Sequence, residues 1–243
     1  MLSILISALI FTLIFIFLLQ DKKCDKPIIT FTFDDGYKDQ HTQAFPIFQK
    51  NKLKATTYVI TCLVGSQFEN ETLMNWDDIN ELRDNGWEVG SHTCNHNYLT
   101  KLNKEEINYE LERSKLILEE KGLNANSLSV PYGDYDSEVR DIAQQYYQSV
   151  RTSEFGINNI SSIDKYNLKA FWLINSTSLN EVKSWIDEAE KNNSWIIIML
   201  HHVRTNLSRE YSTHPNDIDE ILRYVKEKNI EVKTISEVLE QCG

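Results

Sequence analysis

The chain has 243 residues, 36 of them acidic and 25 basic, for a formal net charge of −11. An acidic surplus without a basic block argues against nucleic acid or an anionic membrane surface as a partner. The length suits one domain with a large core, preceded by a short N-terminal extension.

Residues 1–19 carry no charged side chain and are rich in Leu, Ile and Phe. Such a stretch is long enough to span a bilayer, and it reads as a membrane anchor or a signal peptide. The anchor is favoured, because no small-residue cleavage site precedes Gln20 and no Lys or Arg opens the stretch. A linker, 20–26, follows. Its Lys22, Lys23 and Lys26 would favour a cytoplasmic flank, in conflict with export.

The apolar run Ile28–Phe33 predicts a buried strand that ends in Asp34, Asp35 and Gly36. Neighbouring side chains of an extended chain face opposite sides. Both carboxylates can therefore serve one site only if the strand stops there, and Gly36 permits the sharp turn. A short helix is predicted over 42–51 and a strand over Lys54–Ile60. Asn75 caps a helix that stops at Asn85-Gly86, and Trp87–Ser91 reads as the next strand. Asn103 and Glu106 are placed for a capping box opening a helix over Lys104–Glu120, with Ile107, Leu111, Ser114 and Leu118 on one face. Ser127–Pro131 follows as a short strand. Ser137 is the expected cap of a helix carrying Val139, Ile142, Ala143 and Tyr146 on one side. Residues 147–151 and 168–174 read as strands, Leu179–Asn192 as a helix and Trp195–Leu200 as a buried strand. Ile218, Ile221, Leu222 and Val225 mark another helix, before a strand over Ile230–Thr234 and a last helix over Ile235–Gln241. This alternation predicts an α/β fold with a parallel sheet. A closed or nearly closed (β/α) barrel is preferred to a doubly wound open sheet, and in both the chemistry gathers at the C-terminal ends of the strands.

Those ends carry the chemical residues. His92 and His96, four apart, can converge on one ion, and two imidazoles with a carboxylate and an open position make a hydrolytic zinc site. The competing reading is a hydrogen-bonded loop pair. Thr93 stands where a metalloprotease needs Glu, which counts against a peptidase. His201 is either a satisfied core-edge residue or, beside a metal, a proton donor. Of the cysteines, Cys24 and Cys242 bracket the domain and could tie its ends in an oxidising compartment, the alternative being two unpaired thiols. Cys94 is poorly spaced to share an ion with the histidines.

Thr32-Phe33-Asp34-Asp35-Gly36, His92-Thr93-Cys94-Asn95-His96, Pro131-Tyr132-Gly133 and Leu200-His201-His202 occur in the order of the polysaccharide deacetylase motifs. From Pro27 to about Leu239 the chain resembles this NodB-homology group, carbohydrate esterase family 4. The resemblance implies a distorted, incomplete (β/α) barrel over 27–243. It implies a divalent metal, zinc in preference, held by Asp35, His92 and His96. It gives Asp34 the role of catalytic base and His201 that of catalytic acid, with His202 as a less favoured substitute. Pro131 and Tyr132 would form the oxyanion and substrate turn, Tyr132 through its backbone N–H. The implied reaction removes N-acetyl groups, as acetate, from an N-acetylglucosamine glycan such as chitin, peptidoglycan or an exopolysaccharide. The expected partner is that polysaccharide. The expected state is a monomer outside the cell or at its surface, touching membrane only through 1–19. Two departures stand out. Ser129 occupies the place of the family's base-orienting arginine, and the fourth motif finds only Asp164, Lys169 and Trp172. Ser129 motivates an alternative, a glycan-binding protein without turnover.

Overall fold

The computed structural model describes residues 24–243. The expected anchor or signal peptide at 1–19 and the first residues of the linker lie outside the described residues. Among the described residues no helix is long and apolar enough to cross a membrane.

The chain runs β1 (Ile28–Phe33), a π-turn (Gln40–Ala44) leading into α1 (Phe45–Asn51), β2 (Thr56–Val59), β3 (Gln67–Phe68), β4 (Glu71–Thr72), α2 (Trp76–Asp84) and β5 (Glu88–Ser91). It continues through α3 (Lys104–Glu120), β6 (Ser127–Ser129), α4 (Ser137–Tyr146), β7 (Ser149–Arg151), β8 (Phe171–Trp172) and α5 (Leu179–Asn192). It ends with β9 (Trp195–Leu200), β10 (His202–Val203), β11 (Ser212–Thr213), α6 (Pro215–Glu227), β12 (Glu231–Val232) and α7 (Ile235–Cys242). The main sheet has the order β7-β6-β5-β2-β1-β9-β8, all parallel, with β12 beside the start of β1. A parallel bridge from Arg151 to Leu168 draws the two edges together into a curled, nearly closed barrel.

β1 and β9 are buried along their whole length because both faces are covered. Ile29, Phe31 and Phe33 pack outward with Ile196, Ile198 and Leu200, under helices. Ile28, Trp195, Ile197 and Met199 face inward, where the Trp195 indole donates to Thr30 Oγ1 at 2.9 Å. The period of two therefore aims Asp34 inward with Thr30 and Thr32, and His201 inward with Ile197 and Met199. The register pairs Phe33 with Leu200, which sets the two strand ends side by side.

The α3 capping box forms: the Asn103 side chain accepts from the Glu106 N–H and the Glu106 carboxylate accepts from the Asn103 N–H. Several boundaries differ from expectation, three of them for a reason the structure shows. Asp136, not Ser137, caps α4, its carboxylate accepting from the Val139 N–H at 2.9 Å. The strand read over 168–174 is broken, because Leu168 pairs with β7 whereas Phe171–Trp172 pairs with β9. The strand read over Ile230–Thr234 shortens to two residues, since Thr234 turns out to cap α7.

Cys24 and Cys242 are bonded, as are Cys62 and Cys94. The first bond closes a loop of 218 residues, where chain entropy makes a cross-link most effective. Replacing Cys242 by Ser is expected to cost about 2–4 kcal/mol, read as a lower denaturant midpoint in non-reducing buffer.

Candidate active site

β1 stops where it must for both carboxylates to be used. Asp35 itself takes the left-handed conformation (φ 71°), as does Gly36 (φ 77°). The sharp turn thus begins one residue earlier than glycine alone would require. Asp34 keeps its inward strand direction, and Asp35 is swung over the barrel mouth. Gln40, fully buried, fixes this geometry by donating to the carbonyls of both Asp34 and His201 while accepting from Thr57 Oγ1.

After β5 the chain enters a loop in which Thr93 (φ 63°) and His96 (φ 61°) are both left-handed. Such backbone persists only when its surroundings hold it. Here the buried Glu110 of α3 accepts from Asn95 N–H at 2.8 Å, Asn95 Nδ2 at 2.7 Å and Asn97 Nδ2 at 3.0 Å. On the other side the Cys62–Cys94 bond, with Thr61 N–H to Thr93 O (3.1 Å) and Cys62 N–H to Cys94 O (3.0 Å), staples the loop to the end of β2. Cys94 is therefore no metal ligand. Breaking this staple in a Cys62→Ser, Cys94→Ser variant is expected to weaken zinc binding about tenfold or more, measured by calorimetry, because the histidines lose their support.

His92 Nε2 lies 3.3 Å and His96 Nε2 3.1 Å from Asp35 Oδ1. The three donor atoms lie within 4.8 Å of one another, all buried. A tetrahedral ion with bonds near 2.05 Å separates its ligand atoms by about 3.3 Å. The donor set fits a zinc-like ion in two further ways. Asp35 Oδ1 is buried without a well-directed hydrogen bond. The His92 Nδ1 sits 2.7 Å from the Ser129 carbonyl, so that its proton is placed there and Nε2 is left free to coordinate.

Asp34 is 3 % exposed and pairs with Arg151, which is 1 % exposed. Arg151 Nη2 also donates to Ser129 Oγ, and Ser129 Oγ reaches Asp34 Oδ2 at 3.4 Å. Ser129 and Arg151 are register partners on β6 and β7. The guanidinium that sequence comparison expects at 129 therefore comes from the facing position one strand away, and a small side chain at 129 gives it room. Burial pushes the Asp34 carboxyl up, but Arg151, with His92 and His201, outweighs it and holds the group below its ordinary range. Burial also pushes Asp35 up, and the His92 and His96 rings hold it well below that range. His92 is raised: burial disfavours its charge, but Asp35 and Asp34 outweigh burial. His201 is lowered by burial, against the pull of Asp35 and Asp34.

His201 and His202 diverge. His201 lines the cleft beside Asp34 and Asp35, its Nδ1 buried without a partner. His202 stacks on Tyr37 (centroids 3.7 Å apart), and its Nδ1 lies 3.0 Å from Asp39 Oδ2. Tyr132 (φ 59°) sits in a turn whose own bonds run from Gly133 N–H to Val130 and from Asp134 N–H to Pro131, leaving the Tyr132 N–H outside them. Pro131 is buried beneath this turn, whereas Tyr132 and Gly133 line the cleft. Trp172 and Met199 also line the cleft. Asp164 lies outside the site, paired with Arg140 at 2.8 Å, and Lys169 pairs with Glu154 at 2.5 Å. Arg151 and Gln40 went unread in the sequence. The strand-end position of Arg151 was the one available signal.

A sequence profile described as polysaccharide deacetylase matches residues 21–150, just over half of the chain. YxkH of Bacillus subtilis, assigned by name to the polysaccharide deacetylases, is 30% identical over 141 residues, 57% of this chain and 49% of that protein. The poly-beta-1,6-N-acetyl-D-glucosamine N-deacetylase of Staphylococcus aureus is 30% identical over 95 residues, 38% of this chain and 33% of that protein. The chain thus spans about half the length, or less, of the curated relatives it matches. The solved structure of T48 deacetylase with substrate superposes with a TM-score of 0.64 at 18% identity, covering 91% of this chain and 95% of that one, a likeness of fold. With its motifs at the strand ends of a shared barrel, the chain belongs to the polysaccharide deacetylase family.

Proposed function

We propose that the protein is a metal-dependent deacetylase that hydrolyses N-acetyl groups of an N-acetylglucosamine glycan outside the cell or at its surface. The observation that carries this reading is the convergence of Asp35, His92 and His96 beside a buried Asp34–Arg151 pair, with His201 in the same cleft. A divalent cation held by those three residues, zinc in preference, supplies the Lewis acidity that makes water a competent nucleophile near neutral pH. Asp34 accepts the proton of the attacking water, and Arg151 keeps the carboxylate ionised and aimed. The Tyr132 N–H stabilises the oxyanion that develops on the acetyl oxygen as water adds to the carbonyl carbon, a contribution of about 3 kcal/mol for one such donor. His201, in the same cleft, protonates the departing amine, since an amine leaves poorly without a proton. One water is consumed, and acetate and the free amino sugar are released.

The substrate class is supported by the staphylococcal relative, whose name specifies a poly-N-acetylglucosamine. The location is supported by the two disulfides, which belong to oxidising compartments. Non-catalytic glycan binding drew its motive from Ser129, and Arg151 accounts for that departure. The test is acetate release from a panel of chitin-type, peptidoglycan and β-1,6-linked oligomers, with O-acetylated xylan as comparison. Release from an N-acetylated glycan by the native protein, absent in Asp34→Ala, is expected. Glycan binding with no release from any of them would refute the reading.

A further inference from the structure

The cleft, about 480 Å³, has an uneven rim. Around the barrel the loops after β8, β9, β1 and β2 are neighbours, and they are tied together. Asn175 N–H donates to the Glu210 carbonyl at 2.6 Å, and Asn175 Nδ2 to the Leu207 carbonyl at 3.0 Å. Arg209 Nη2 donates to the Glu69 carbonyl at 2.8 Å, and its Nε lies 3.1 Å from Glu71 Oε1. Arg204 joins Glu71 Oε1 (3.0 Å) to Asp39 Oδ2 (2.6 Å). Each exposed pair adds little alone. Together they fasten the β3–β4 hairpin to the loop after β9, above the short turn that leaves β1.

The opposite side of the ring, after β6 and β7, is built differently. There the cleft is lined by Gly133 and Ser153, its two smallest side chains, beside the half-exposed Tyr132. A Cβ on Gly133 would lie 1.7 Å from Ser153 Oγ, and its φ is 66°, so no side chain fits this position. The same two residues border a second, open trough of about 540 Å³. Its lining includes Tyr135, Asp136, Arg140, Glu154 and Asn167, donors and acceptors suited to sugar hydroxyls. Several are already oriented: Asn167 Nδ2 donates to Glu154 at 2.8 Å, and Arg140 grips Asp164 through two nitrogens at 2.8 and 3.0 Å.

We infer that the glycan leaves the cleft in one direction only, across the Gly133–Ser153 notch, with the next sugar seated in the trough. On this reading the fastened loops act as a wall on the other side, and the sugar whose acetamide reaches Asp34 is a chain end. This rests on the deacetylase reading and adds direction and position to it.

The test is the position of the first acetyl lost. The zinc-loaded protein is given an N-acetylglucosamine pentamer labelled at its reducing end, and the singly deacetylated product is sequenced by tandem mass spectrometry. Loss at one terminal sugar is expected to exceed loss at all internal sugars by about tenfold. A Ser153→Trp variant, which fills the notch, is expected to lower the ratio of pentamer to small acetyl-ester hydrolysis by about tenfold or more. That ratio is insensitive to the amount of folded protein. Loss at internal sugars, or an unchanged ratio in the variant, overturns the one-way path and leaves the deacetylase reading standing. No acetate from any glycan overturns both.

Discussion

Replacing Arg151 by methionine is expected to cost about 3–5 kcal/mol of stability, because it leaves the Asp34 carboxylate buried and unpaired. The same change should lower kcat/KM for deacetylation by about a hundredfold or more, since a base pushed toward its neutral form cannot take a proton. Equilibrium denaturation and steady-state kinetics read the two effects separately. Arg151→Lys should recover only part of either, because one ammonium cannot reach Asp34 and Ser129 Oγ, as Nη2 does, and also keep the Nη1 contacts to the Thr152 carbonyl at 3.3 Å and the Met199 sulfur at 2.9 Å. Two double variants sharpen the argument. Asp34→Asn with Arg151→Met should be less destabilised than Arg151→Met alone, since no lone charge remains buried. Ser129→Arg with Arg151→Ser returns the guanidinium to the facing strand and should regain activity over Arg151→Ser. If Arg151→Met turns over substrate at the native rate, the orienting role is wrong.

Removing one metal ligand should have an effect of similar size on a different observable. His92→Ala, His96→Ala and Asp35→Asn are each expected to weaken zinc binding by about a hundredfold or more, measured by calorimetry on chelator-treated protein. The native protein should bind one zinc per chain. At a free zinc concentration a hundred times the dissociation constant it should gain about 2.7 kcal/mol of stability, a gain absent from the three variants. Undiminished zinc affinity in His96→Ala would show that the ring 3.1 Å from Asp35 Oδ1 is not a ligand.

How much of this was legible in the chain varies by element, for physical reasons. β1 and β9 announce themselves because strands covered on both faces need unbroken apolar runs. α3 is readable from Asn103 and Glu106 alone, since a capping box is a local device. The α4 cap is not decided locally: Asp136 and Ser137 are equally good caps, and the fold chooses the first. The β3–β4 hairpin stayed hidden because Glu69 (φ 49°) and Asn70 (φ 63°) make its turn without the glycine that usually marks one. The Cys62–Cys94 bond depends on Val59 lying opposite Ser91, a register that no spacing rule supplies. The site motifs could be found because a parallel barrel collects its chemistry at strand ends. Arg151 shared that position but lacked a motif: it acts on a carboxylate 117 residues away and is identified only by what it touches.

The account is tested most directly by acetate release from N-acetylglucosamine oligomers, measured on protein dialysed against a chelator and again after one equivalent of zinc. No release before zinc and steady release after it is the expected result. Release undiminished by chelation, or none from any acetylated glycan once zinc is restored, would contradict it.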